Sequence, residues 1–145
     1  MIKKYLLDVN VLVALASDEH EHHRKAYRWH GSLGGEEWGV CPLTEAGYFR
    51  LVINPATRLG TGDLARSAAV LIDLAKHPGY RYWPITESWT ALTAPFAARI
   101  FGHQQVTDAY LLGLAIKNNG VLVTFDRGLK YMAGAEYARN LLILE

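Results

Sequence analysis

The sequence predicts an α/β chain in which a central, mainly parallel β-sheet is covered by helices. Three observations predict it. Short apolar runs, above all Tyr5 to Leu7 and Gly120 to Phe125, are bounded by polar or turn residues and have the length of buried strands. Other segments repeat their apolar residues at helical spacing, as Leu64, Ala68, Leu71, Ile72 and Ala75 do. The two patterns alternate, and strands separated by helices pair in parallel, because a parallel connection has to cross over.

In chain order, Tyr5 to Leu7 is the first strand and Val9 to Ala16 the first helix, with Asp8 or Asn10 as its N-cap. Ser17-Asp18-Glu19 caps a second helix from about His20 to His30, broken by Gly31-Ser32-Leu33-Gly34-Gly35. Trp38 to Val40 is the second strand. Pro42 suits the first turn of a third helix, which carries Glu45, Phe49, Val52 and Ile53 and stops at Asn54-Pro55. A loop follows from Ala56 to Gly62; Gly60-Thr61-Gly62-Asp63 lacks the Lys-Ser/Thr of a P-loop and reads as a turn capping a fourth helix, Asp63 to Lys76. Tyr80 to Ile85 is predicted as a third strand, and Pro95 argues against one long helix after it. Thr107 caps a helix from Asp108 to Asn118, ended by Asn119-Gly120. The strand Gly120 to Phe125 runs into Asp126, a short helix follows around Leu129 and Tyr131, and Leu141 to Leu144 is a last strand.

The chain has 145 residues, room for one core, and shows no internal repeat or linker, so a single domain over 1–145 is expected. Half of its residues are hydrophobic and the net charge is +1, which excludes a disordered or polycationic chain; nucleic-acid binding would have to rest on a local basic patch. The single cysteine, Cys41, excludes an intrachain disulfide, and the apolar run behind Met1 is too short and broken for a membrane span or signal peptide. The expected location is the cytoplasm, with no membrane.

Asp8 and Asp126 each follow an apolar strand, while Glu45 and Asp108 each stand in the first turn of a helix. In a parallel sheet, strand carboxyl ends and helix amino ends share one edge, where ligands bind. Glu45 lies four residues before Phe49 and seven before Val52, on their inward face, where an acid is costly unless paired or coordinating. The helix after Asp108 is apolar nearly all round and has to be buried. Taken singly, each acid is explained by capping and the helix dipole. Gathered at one edge they repel each other, and oxygen-only ligation suits Mg²⁺ or Mn²⁺, ions that assist phosphodiester hydrolysis. The residues therefore point to a metal-dependent phosphoryl-bond hydrolase.

Four segments, LLDVNVLVAL around Asp8, PLTEAGYFRLV around Glu45, VTDAYLLGLA around Asp108 and VTFDRGL around Asp126, occur in an order and spacing that resemble the PIN domain, specifically the VapC-type ribonuclease toxins of toxin–antitoxin pairs. The DEHEHHRKA stretch from Asp18 resembles the opening of the second helix in many of them, and the likeness runs from Tyr5 to about Tyr131. It implies a PIN-like three-layer α/β/α fold and Mg²⁺- or Mn²⁺-dependent endonucleolytic cleavage of RNA. It implies Asp8, Glu45 and Asp108 as the principal metal-ligating acids, with Asp126 as a fourth acting through water or at a second metal position. It also implies a homodimer and a cognate antitoxin that binds near the active site. All four acids are present.

Other residues invite weaker readings. Arg127 and Lys130 follow Asp126 and are candidates for RNA phosphates, as are Arg50 and Arg58; solvated surface charge is the alternative. His20, His22 and His23 do not form the H-E-x-x-H zinc pattern, since Arg24 occupies the second histidine's place. Thr44, Thr107 and Thr124 stand close before acids and cap, or orient a carboxylate. Trp29, Trp38, Trp83 and Trp89 suit core or dimer contacts better than base stacking, and Cys41 suits an inert buried position. Two competing functions remain: a phosphatase of haloacid-dehalogenase-like type with Asp8 as nucleophile, weakened by Asn10 where a second Asp is needed, and a non-catalytic, partner-binding α/β domain.

Overall fold

The computed structural model of the protein describes residues 2–60 and 62–145. At its centre β1 (Lys4–Leu7) lies between β2 (Glu37–Gly39) and β3 (Val121–Thr124), with β4 (Leu141–Ile143) beyond β3. Every pairing is parallel, in the order β2-β1-β3-β4.

Side-chain alternation along the strands divides the core in two. On one face Tyr5, Leu7 and Val123 meet Val11 to Leu15 of α1 (Val9–Ala16), Ala26 of α2 (His23–Gly31), Tyr48 and Val52 of α3 (Pro42–Val52), and Leu71 of α4 (Leu64–Leu74). On the other, Leu6 and Leu122 meet Leu92 of α5 (Trp89–Thr93), Leu111, Leu112 and Leu114 of α6 (Val106–Lys117), and Leu129 and Met132 of α7 (Leu129–Ala133). The result is the expected three-layer α/β/α arrangement. No helix of the described residues is long and apolar enough to cross a membrane.

Several elements differ from expectation. Tyr80 to Ile85 is extended but makes only an isolated bridge, Tyr80 to Trp38, rather than a strand. It leans on the outer edge of β2, where Arg81 N–H donates to Trp38 O (2.8 Å) and Trp83 N–H to Val40 O (2.9 Å). Pro84 has no N–H with which to continue the ladder. The approach is close enough that a Cβ on Gly39 would collide with the Arg81 carbonyl.

The second helix starts at His23 rather than His20, because residues 17–22 are spent in turns and His23 Nδ1–H donates to Ala14 O (2.7 Å), tying its start to the end of α1. In α4 the expected stripe is displaced. Ser67 and Leu71 are buried, while Leu64 and Ile72 are 59% and 64% exposed. Asp63 caps this helix through Ala65 N–H (2.9 Å); of the Gly60–Asp63 turn, Thr61 lies outside the described residues. Thr107 sits inside the first turn of α6 instead of capping it, since a 3₁₀ turn (His103–Gln105) leads into Val106. Pro95 falls in a second 3₁₀ turn (Ala94–Arg99), so no long helix forms there. Trp38, Trp83 and Cys41 are buried, as expected.

Candidate active site

Asp8 is the residue after β1, and its backbone N–H extends the ladder to Val123 O (2.9 Å). There the chain turns into α1, and Asp8 becomes the N-cap, its Oδ1 accepting from Val9 N–H (2.7 Å). Its Oδ2 accepts from the hydroxyl of Thr124 on the neighbouring strand (2.7 Å). With the residue only 6% exposed and both oxygens held, the carboxylate has one orientation. Capping and site membership are thus compatible roles for one side chain: each oxygen has a lone pair left over.

Two threonines fix the surroundings. Thr124 Oγ1 also accepts from Asp126 N–H (3.0 Å), so the same hydroxyl positions Asp8 and the backbone of the next acid. Asp126 is exposed at the end of β3, its Oδ1 accepting from Gly128 N–H (2.8 Å). Thr44 Oγ1 donates to Leu7 O (2.9 Å) and pins the first turn of α3 to the end of β1. Glu45 follows it and is half-buried; the buried stripe of α3 runs through Thr44, Tyr48 and Val52, so of the expected stripe Val52 is buried while Glu45 and Phe49 are only partly so. Gly47 allows the close approach of α3 to α1, for a Cβ there would stand 2.5 Å from Val9 Cγ2. Asp108, half-buried, projects from the first turn of α6 on the opposite side of the sheet.

The electrostatics separate the four acids. Asp108 is pushed up from 3.8 to about 7, first by burial and then by the charges of Asp8 and Asp126. Asp8 is raised by burial, against the lowering effect of its bonds to Thr124 and Val9, with Asp126 raising it further. These three form one mutually repelling group. Glu45 is raised by burial alone; the groups that feel its charge are Tyr80 and Tyr82 on the extended segment beside β2. Charge repulsion thus couples Asp8, Asp108 and Asp126, while Glu45, in the turn that Thr44 pins to the end of β1, acts on the tyrosines instead.

This donor set is all oxygen, partly desolvated and short of positive charge, which fits a hard divalent cation. Among the described residues no three His, Cys, Asp or Glu side chains already stand as a closed cage, so holding an ion requires side-chain rotation toward a common point. Asp126 and Asp108 have the exposure for that movement, and Asp8 does not.

The remaining candidates spread out. Arg127 is exposed and pairs with Glu145 (3.3 Å); Lys130 is exposed on α7. Arg50, in the last turn of α3, and Arg58, beyond its end, lie away from the edge that Glu45 borders. Asn10 is exposed. Gly47 and Gly128 hold site geometry but were missed in sequence. A helix glycine and a loop glycine carry no signal of what approaches them.

The chain matches the family model described as PIN domain over residues 5–135. It is 41% identical over 128 residues to "Ribonuclease VapC38" of Mycobacterium tuberculosis (strain ATCC 25618 / H37Rv), covering 88% of this chain and 89% of that protein. It is 36% identical over 130 residues to "Ribonuclease VapC39" of the same strain, covering 90% and 94%. Among solved structures, VapBC2 from Rickettsia felis, crystallised with a DNA fragment from its promoter, superposes with a TM-score of 0.66 at 15% identity, over 98% of this chain and 99% of that one. PAE2754 from Pyrobaculum aerophilum superposes with a TM-score of 0.59 at 23% identity, over 91% and 86%. These two likenesses concern the fold.

Proposed function

The chain belongs to the PIN-domain family, and on that premise we propose that it is a metal-dependent endoribonuclease, the toxin of a toxin–antitoxin pair. The observation that carries the reading is the repelling group of Asp8, Asp108 and Asp126 at the carboxyl edge of the sheet, with Asp108 pushed up to about 7. A carboxylate raised this far beside two others is poorly placed for stability alone, and the grouping answers to a cation.

Asp8, Glu45 and Asp108 are the proposed principal ligands, with Asp126 beside them, and Mg²⁺ or Mn²⁺ is the proposed ion. When bound, the ion offsets the acids' repulsion and supplies Lewis-acid polarisation of a phosphodiester. The chain's own part is orientation. Thr124 and the Val9 amide hold both Asp8 oxygens in one orientation, each with a lone pair to spare. Gly128 N–H holds Asp126 by one oxygen and leaves the other free to accept from water. Asp108 gives up its proton near neutral pH, so cation and proton compete for the same oxygens.

RNA is the proposed substrate, and an antitoxin encoded beside the chain is the proposed partner. A homodimer, a single domain over 1–145 and a cytoplasmic location complete the reading, and the likeness to the two ribonucleases of Mycobacterium tuberculosis supports its ribonuclease part. The test is RNA cleavage by the purified chain in Mg²⁺ or Mn²⁺. Chelation abolishes it, and Asp8→Asn and Asp108→Asn abolish it while keeping the parent's circular dichroism. Undiminished cleavage by either variant, or by the parent in chelator, sinks the reading.

A further inference from the structure

A ladder of rings climbs the opposite side of the same edge. Phe125, the residue between Thr124 and Asp126, lies against the imidazole of His22, with centroids 4.8 Å apart and planes inclined by 33°. His22 in turn meets His20 at 5.7 Å and 46°. Lys25 Nζ stands 5.9 Å from the centre of the Phe125 ring, at the limit of a cation–π contact. The inner side of Phe125 packs on the α1–α4 core, while the His22 side chain is 38% exposed. Trp29, near the other end of α2, packs on Tyr5 at 5.4 Å, so α2 runs the length of the sheet and delivers its first turn to the acid edge.

We infer that His22, stacked on Phe125 and flanked by Lys25, is a binding site for an unpaired nucleotide of single-stranded RNA next to Asp126. This inference rests on the ribonuclease reading of the acids and names the subsite beside them. Base–aromatic stacking accepts any unstacked base and excludes duplex, whose bases are already stacked. The cations make the occupant anionic: Lys25 and the neighbouring Arg24 provide charge for phosphates that the acids themselves repel. Glu21 lies 3.5 Å from His22 Nε2 and is 81% exposed, free to swing aside, and Asp18 borders the same surface beside His20 and Arg24. Thr124 and Phe125 face opposite sides of the sheet. A strand crossing the edge thus passes from the carboxylates, on the side of Thr124, to the rings, on the side of Phe125.

The test uses the full chain with Asp8→Asn, so that bound RNA stays intact, and a labelled single-stranded RNA of about ten nucleotides read by fluorescence anisotropy. His22→Ala and Lys25→Ala each weaken binding by about ten-fold, and His22→Phe, which keeps the ring, restores it. Lys25→Ala also lowers the slope of log affinity against log salt by about 0.7, the loss of one phosphate contact. An RNA lacking one base at the stacked position binds the Asp8→Asn parent more weakly and the His22→Ala variant no more weakly than intact RNA does. A purely structural role for the ring pair moves neither the salt slope nor the abasic response. Phe125→Ala risks the core, so the two surface positions carry the test. If the native chain cleaves RNA and the His22 and Lys25 variants bind within two-fold of their parent, the nucleotide site is overturned and the ribonuclease reading stands. If the native chain neither binds nor cleaves RNA, both fall.

Discussion

Asp108→Asn should make the metal-free protein more stable while it removes activity. An acid raised from 3.8 to about 7 keeps its proton in the folded state over a pH range where the unfolded chain has released it. Between those two values the native state binds more protons, so stability falls as pH rises, and the loss is complete above about pH 7. Roughly three units at about 1.36 kcal/mol each give an upper limit of about 4 kcal/mol. Asp108 is only half-buried, and solvent screening cuts this to about 2 kcal/mol. Asparagine has no proton to lose and stops repelling Asp8 and Asp126.

Urea unfolding in chelator, followed by tryptophan fluorescence, should show parent and variant alike at pH 4. At pH 8 the variant should lead by about 2 kcal/mol, or about 4–8 °C in Tm. Adding Mg²⁺ at pH 8 should then stabilise the parent by about 1.4 kcal/mol at ten times its dissociation constant and the variant by less. A variant no more stable than the parent at pH 8, or a gain independent of pH, refutes the electrostatic account of this edge.

Thr124→Val leaves Asp8 Oδ2 and Asp126 N–H without their shared partner; a loss of about 1.5–3 kcal/mol at pH 8 is expected, shrinking as pH falls and Asp8 takes up a proton, with Thr124→Ser recovering most of it in the same unfolding assay. Gly47→Ala drives a methyl into Val9 and should cost about 1–3 kcal/mol by urea titration, with weakened metal binding because α1 starts at the cap that Asp8 forms. Glu45→Gln should lessen the loss of stability between pH 4 and pH 8 only by Glu45's own share, since burial raises Glu45 but Glu45 does not raise the other acids, while RNA cleavage falls by about ten-fold or more if it is a ligand. A Glu45 variant that shifts the pH profile as far as Asp108→Asn would show the four acids acting as one group.

The acids were legible because each stands where periodicity changes. Asp8 and Asp126 close apolar runs, and Glu45 and Asp108 open helical ones, so crossover geometry alone sends all four to one edge. The burial of β1, β3 and α6 was legible in the same way, from continuous apolar sequence. The failures have physical reasons. Tyr80 to Ile85 has the composition of a strand, but strand formation needs a partner ladder, and β2 offers only three residues before the chain turns into α3. The helical stripe of α4 was real, yet which side of it is buried depends on the approach of α3 and α1. His23, which the sequence places inside the second helix, instead starts that helix and closes the end of α1.

By itself the sequence determined the layering, the parallel pairing and the edge to which the carboxylates belong, because these follow from local periodicity and the sterics of crossover. Only the tertiary structure decided how the acids divide. Asp8 is clamped by Thr124, 116 positions away. Asp108 is raised by charges brought in on β1 and β3, and Glu45 is left among tyrosines. It also set His22 on Phe125 and gave the edge a second, aromatic side. Such contacts join residues far apart in the chain, and a carboxylate's charge state depends on distance and burial, which spacing in a sequence does not carry.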